Sequence, residues 1–304
     1  MSHSHTHEQP EIGGSGKRLF ATMMLNFSIT ATEIVGGIWS GSLSLISDAL
    51  HNFSDGIAII ISYIAIRLNR RPVSPVYTFG LKRAEILAAV INSSTLVIIC
   101  FFLFKEAYQR FLYPKPVAGG MMIGVAFIGL AANVAGTLLL RKGSKESLNL
   151  RAVYLHLFSD AFSSLAVILG GVAIYFYKIY WLDPALTVLI SLYILWESVK
   201  ITREAVKIIM MATPSGYSLE AIAAAIREIP GVRNVHHIHL WQLDESHVHF
   251  EGHVEVADIS VRETGAILKE IQTKLRQKFG ISHVTIQFEN DLCDEKELLS
   301  QEPK

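Results

Sequence analysis

Six stretches of this chain approach the roughly 20 apolar residues that a bilayer-spanning helix needs. They run from about Leu19 to Trp39, Leu43 to Ile66, Ala84 to Phe104, Met121 to Leu140, Val153 to Tyr177, and Leu182 toward Val206. Apolar character in the last run fades after Trp196, and it is expected to continue as a half-polar helix. In hydrocarbon every backbone N–H and C=O must be satisfied within the segment, so runs of this length are read as helices. Polar residues inside them, such as Asn26, Thr30 and Glu33 in the first, are expected to turn away from lipid. Ser40-Gly41-Ser42 leaves room only for a tight turn, which makes the first two helices antiparallel neighbours.

Hydrophobic residues make up 51% of the chain, and the formal net charge is zero, so nothing points to nucleic acid as a partner. Two cysteines, Cys100 and Cys293, support neither a disulfide framework nor a cysteine-based zinc site. The leader, residues 1–18, carries His3, His5 and His7 and lacks the parts of a secretory signal. Lys and Arg gather before the first helix, between the second and third, between the fourth and fifth, and after the sixth. That bias is expected to place both termini in the cytoplasm, with a bacterial inner membrane as the default location.

Two of the runs share a motif. Leu50-His51-Asn52-Phe53-Ser54-Asp55 and Leu155-His156-Leu157-Phe158-Ser159-Asp160 both read L-H-x-F-S-D. Residues four apart on a helix lie on one face, so His51 stacks with Asp55 and His156 with Asp160. If the two helices face each other, two imidazoles and two carboxylates converge, a four-coordinate set suited to zinc. Ionisable residues at membrane depth mark substrate pathways, so the quartet is expected to be a metal transport site. Asp48, three residues before His51, is expected to line the path rather than ligate.

After Met211 the pattern changes. Thr213-Pro214-Ser215-Gly216 is a linker, and residues 212–290 follow as helix, strand, strand, helix, strand, before a tail at 291–304. The strands are expected over Val232 to Leu243, His247 to Asp258 and His283 to Glu289, with helices over Ser218 to Ile229 and Ser260 to Phe279. In the second strand Val248, Phe250, Val254 and Val256 alternate with His247, His249, Glu251, His253 and Glu255. The fold class is therefore a six-helix membrane protein with a small cytoplasmic α/β domain. His236, His237, His239, His247, His249, His253 and His283 crowd this domain. A solvated sheet face bearing histidine and glutamate suits regulatory zinc. Alternation leaves the facing of His236 open.

These residues resemble the cation diffusion facilitator family, in particular its zinc-transporting CzcD-like bacterial branch. The resemblance rests on Ser42-Leu43-Ser44-Leu45 leading to Asp48, His51 and Asp55, on Tyr77-Thr78-Phe79-Gly80 with Arg83-Ala84-Glu85, and on His156 with Asp160. Gly231-Val232-Arg233-Asn234-Val235-His236 and His283 through Glu289 extend it into the cytoplasmic domain. It implies a homodimer that exports divalent metal from the cytoplasm in exchange for protons. It further implies a metallochaperone-like cytoplasmic domain that dimerises and senses metal. His51, Asp55, His156 and Asp160 match the family's transport site, and His236, His253 and Glu289 match its cytoplasmic ligands, with His283 a further candidate. The segment from Arg67 to Lys82 holds no histidine, so the metal site some relatives build there is expected to be absent. Met210 and Met211 stand where relatives often place an acid able to pair with the position of Arg83.

Metal binding needs neutral imidazole and ionised carboxylate, so protons compete with metal for the quartet. Two other classes stay open on the residues alone. An intramembrane zinc enzyme would use Asp48 as its base, and a membrane-anchored sensor would use the cytoplasmic histidines as receptor.

Overall fold

The computed structural model describes residues 12–69, 71–140, 148–244, 246–290, 292 and 297–299, with side chains described from Met24 onward at most of these positions. The leader histidines lie outside the described residues, as does the side chain of His156. The chain divides into two compact units, one of residues 1–61 and 91–200, the other of 62–90 and 201–304.

Six long helices carry the apolar runs: α1 (Ile12–Ser40), α2 (Leu43–Asn69), α3 (Ala84–Leu112), α4 (Gly119–Leu140), α5 (Leu148–Tyr177) and α6 (Leu182–Ile209). Most extend beyond the apolar stretches read from sequence, because helices continue into polar flanks once their middles are set. Among the described residues, α3, α4, α5 and α6 each contain a segment long and apolar enough to cross a membrane. Buried polar residues occur in all six helices, among them Asp48 of α2, Asn133 of α4, Asp160 of α5 and Asp183 of α6. Asn26, Thr30 and Glu33 of α1 are buried, as expected for groups turned from lipid.

Small residues let these helices approach closely. A Cβ on Gly119 of α4 would lie 2.8 Å from the backbone nitrogen of Tyr175 and 2.9 Å from the carbonyl oxygen of Gly171, so α4 and α5 meet backbone to backbone. Leu45, Met122, Ala126, Val167 and Ile174 form an apolar cluster that joins α2, α4 and α5.

The N-terminus of α2 is held by a residue far along the chain. Asp183, in the first turn of α6 and with 0% exposure, accepts hydrogen bonds from the Ser42 hydroxyl (2.6 Å), the Leu43 N–H (2.7 Å), the Ser44 N–H (3.1 Å) and the Ser44 hydroxyl (2.7 Å). A carboxylate satisfies the unpaired N–H groups of a helix start and suits its positive dipole end. Arg110 completes the knot: it donates to the carbonyl oxygen of Gly41 and lies 3.5 Å from Asp183. Arg110 lies beyond the apolar run that ends near Phe104, in the last turn of α3.

The second unit holds α7 (Leu219–Arg227), β1 (Val232–Gln242), β2 (Val248–Val256), α8 (Val261–Phe279) and β3 (His283–Glu289). The helix-strand-strand-helix-strand order matches the sequence reading. β1 pairs antiparallel with β2, and β2 pairs parallel with β3 across the α8 crossover. Ser218 caps α7, and Ser260 with Glu263 forms a capping box that starts α8. Ile222 and Ile226 of α7, Ile271 and Leu275 of α8, and Val235, Ile238, Phe250 and Val254 of the sheet share one core.

That core fixes the sheet's other face. Even-numbered positions of β2 are buried with the core, so His249, Glu251, His253 and Glu255 project from the opposite side. β1 changes parity partway: His236 pairs with His253 and His239 with Glu251, which leaves one extra residue on β1. His237, with φ of 53°, occupies this bulge. The bulge puts Val235 and Ile238 on the core side while His236 stays on the far face, which resolves its facing.

Candidate metal centres

In the helical unit, His51 and Asp55 lie one turn apart on α2, with Nε2 of His51 3.5 Å from Oδ2 of Asp55. Asp160 of α5 is buried. Ser163 of α5 donates to Oδ1 of Asp48 at 2.5 Å, pinning α2 against α5. Leu45, earlier on α2, shares its cluster with Val167 and Ile174, later on α5, so the two helices run antiparallel. From the Asp48–Ser163 pair, three residues forward on α2 and three back on α5 bring His51 level with Asp160. Four more bring Asp55 level with position 156. Each step of the same number of residues covers the same rise on both helices, about 1.5 Å per residue. Asp48 thus accepts its hydrogen bond from Ser163 about one turn from the level of His51.

Buried polar groups surround this level. The Asn52 amide donates to Oε2 of Glu33 at 3.0 Å, and the Asn26 amide donates to the carbonyl oxygen of Asn52 at 3.2 Å. Glu33, 1% exposed, is within electrostatic reach of both Asp48 and Asp160. Gly129 of α4 packs against it; a Cβ there would lie 2.5 Å from Oε1 of Glu33. Oε1 of Glu33, Oδ1 of Asn26 and the Asn133 amide are buried without a hydrogen-bond partner among the described residues. A purely structural network seldom leaves so much hydrogen-bonding capacity unused. Sequence reading turned Glu33 from lipid without assigning it to this chamber; its signal was an acid inside an apolar run.

In the second unit, Nε2 of His236 lies 2.6 Å from Oε1 of Glu289, and Nδ1 of His253 lies 3.4 Å from Oε2 of the same carboxylate. The three ligand atoms fall within 4.8 Å of one another. Two imidazoles and a carboxylate, drawn from all three strands, fit the tetrahedral preference of zinc with one position left over. His283 does not join them. The parallel register sets His283 beside His249, with ring centroids 4.6 Å apart, while His253 faces Gln287. Grouping His283 with His236, His253 and Glu289 is thus corrected: shared facing is necessary for a common site, but four residues of strand separate His283 from the cluster level.

The expected solvated face is corrected as well. His236, His249, Glu255 and Glu289 are all buried. His249 stacks on Trp241 at 4.5 Å, and the edge of Phe79 meets both rings. Arg83 lies over the Trp241 ring at 5.8 Å, a cation–π contact. Burial, then neighbouring histidines, hold His253 below the ordinary imidazole range against the opposing pull of Glu289. Burial and then His283 do the same to His249.

The sign of the resulting pH dependence follows. A histidine kept neutral in the fold binds fewer protons than the same residue unfolded, so stability falls as pH drops below the ordinary histidine value of about 6.5. The thermal midpoint of the metal-free full-length protein is expected to decline over that range. His249→Phe is expected to flatten the slope, and an equal slope in the variant would contradict the assignment.

Comparison with known proteins agrees with this architecture. The cation efflux transmembrane domain profile matches residues 19–210, and the cation efflux protein cytoplasmic domain profile matches residues 214–291. The zinc transporter ZitB of Pectobacterium atrosepticum is 37% identical over 97% of this chain and 91% of its own length. A cadmium, cobalt and zinc/H(+)-K(+) antiporter of Bacillus velezensis is 35% identical over 95% of this chain and 92% of its own. The metal cation efflux system protein CzcD of Cupriavidus metallidurans is 34% identical over 97% and 92%. With helices that meet the demands of a bilayer joined to this small sheet domain, the chain belongs to the cation efflux family, as an integral membrane protein whose work is the efflux of divalent metal cations.

Proposed function

We propose that the protein exports zinc, and cadmium or cobalt with it, from the cytoplasm in exchange for protons, through a site built from His51, Asp55, His156 and Asp160. The observation that carries this reading is the Asp48–Ser163 hydrogen bond, whose antiparallel register levels the two L-H-x-F-S-D motifs. The names of the relatives, a zinc transporter and a cadmium, cobalt and zinc antiporter, support the metal class. The N₂O₂ ligand set favours a borderline ion over magnesium or calcium, which prefer all-oxygen shells.

Each ligand is also a proton acceptor once metal leaves. Protons from the far side therefore displace the ion, and the protonated site returns inward with no metal aboard. Glu33, beside Asp48 and Asp160, gives the exchange an additional acceptor in the same chamber. We place both termini in the cytoplasm of a bacterial inner membrane, with the protein acting as a homodimer and His236, His253 and Glu289 sensing cytoplasmic metal. Zinc entry into inverted vesicles is expected to rise with an acidic lumen and collapse when nigericin removes the pH gradient. Flux indifferent to the gradient would overturn proton exchange.

Metal choice lies in the imidazoles. His51→Asp is expected to retain transport while shifting its preference toward cadmium, because a third carboxylate relaxes the match to zinc. Competition between the two metals in vesicles reads this as a change in relative uptake of about tenfold, and an unchanged ratio would contradict it.

A further inference from the structure

β1 lies at the edge of the sheet, and its register with β2 passes from His236 directly to His239. His237 and Ile238 are therefore skipped by the ladder, and their N–H groups need acceptors elsewhere. A segment far along the chain supplies them: the N–H groups of His237 and Ile238 donate to the carbonyl oxygens of Glu297 (3.2 Å) and Leu298 (2.9 Å). The partly buried side chain of Leu298 packs against the core that holds Val235, Ile238 and Phe250. The segment thus covers the open edge of β1 at its bulge, where strand groups would otherwise stand unpaired.

The bulge needs such a hold. His237 has φ of 53°, a left-handed conformation that a residue with a Cβ adopts at a cost and keeps only where its surroundings impose it. Its consequence reaches the metal cluster. Val235 and Ile238 both face the core, and an unbroken strand through Ile238 would alternate to put His236 there as well. With the extra residue His236 stays on the far face, where its Nε2 lies 2.6 Å from Oε1 of Glu289. A slip of one residue reverses the facing of a strand's side chains, so loss of the bulge would carry this imidazole away from Glu289 and His253.

We propose that the segment at Glu297 and Leu298 is a positioning strap for the His236–His253–Glu289 cluster: by clamping the bulge it holds His236 in place as a ligand. The inference rests on the reading of those three side chains as metal ligands. It adds that the affinity of the cluster is set by a segment outside the ligand group. Coupling of this kind is reciprocal, so whatever the strap adds to metal affinity, bound metal adds to the attachment of the strap.

The test titrates zinc against a chromophoric chelator with full-length protein in detergent, in an Asp55→Asn/Asp160→Asn background that removes the transport site. Glu289→Gln is the reference and is expected to lose one zinc per protomer. Leu298→Asp puts a carboxylate where the core is apolar and lifts the strap; it is expected to keep that zinc but to bind it about tenfold more weakly. Glycine meets no penalty at positive φ, so with His237→Gly the bulge forms unaided, and adding Leu298→Asp is expected to change affinity by less than about threefold. A merely structural loss would weaken the cluster equally with either residue at position 237. Hydrogen exchange gives the reciprocal readout: zinc is expected to slow exchange of the His237 and Ile238 amides at least about tenfold, and not to do so in Glu289→Gln. Unchanged affinity in Leu298→Asp, an equal loss with and without His237→Gly, or amides indifferent to zinc overturns the proposal alone. An undiminished zinc count in Glu289→Gln would overturn it together with the reading of the cluster.

Discussion

Asp160→Asn is expected to reduce zinc flux in proteoliposomes by at least about 100-fold while leaving the protein folded. The carboxylate is buried on α5 at the level of His51, and in the proposed site it supplies one of four bonds to the ion. Changes one shell further from a metal already cost 10–100-fold, so loss of a ligand oxygen should cost at least that much. The amide keeps the size of the carboxylate and removes a charge that is expensive to bury, so stability should hold or rise. Elution as a single species with an undiminished thermal midpoint separates loss of transport from loss of fold. Retention of more than a tenth of the flux would remove Asp160 from the ligand set.

Asp183→Ala is expected to have the largest effect on stability. The change strips the partner from two N–H groups and two hydroxyls at the start of α2, and it takes the α6 carboxylate from half-buried Arg110, which keeps only its pair with Glu106. Breaking a buried pair by removal of one member costs about 3–5 kcal/mol. For a chain of this size that corresponds to a thermal midpoint lower by about 10 °C. Asp183→Asn retains an acceptor for some of the four donors and should fall between the alanine variant and the natural protein. Transport is expected to suffer in the alanine variant even at permissive temperature, because the same cap sets the height of α2 and so the level of His51. Equal midpoints for Asp183→Ala and the natural protein would show that α2 is held by its packing alone.

Much of this was legible in the residues. Apolar runs marked six helices because backbone satisfaction in lipid permits little else, and the repeated L-H-x-F-S-D picked out the residues of the proposed transport site. Period-two alternation in β2 separated its core side from its histidine side without error. What escaped were contacts between residues distant in sequence. Nothing about Leu182-Asp183-Pro184 announces that Asp183 caps α2, since its partners lie about 140 residues earlier. Alternation assumes an unbroken strand, so the bulge at His237 left the facing of His236 undecided. Facing also says nothing of level, which is why His283 was grouped with Glu289 although register places it beside His249. The contact of Phe79 with Trp241 and His249 has no local signature either.

The most direct measurement is the number of zinc ions held by full-length protein with the cytoplasmic cluster disabled by Glu289→Gln. Introducing Asp55→Asn and Asp160→Asn together should remove one ion per protomer from that count, and the zinc absorption edge should lose its mixed nitrogen and oxygen component to match. An identical count with and without the two aspartates would mean that α2 and α5 do not hold the transported cation between them.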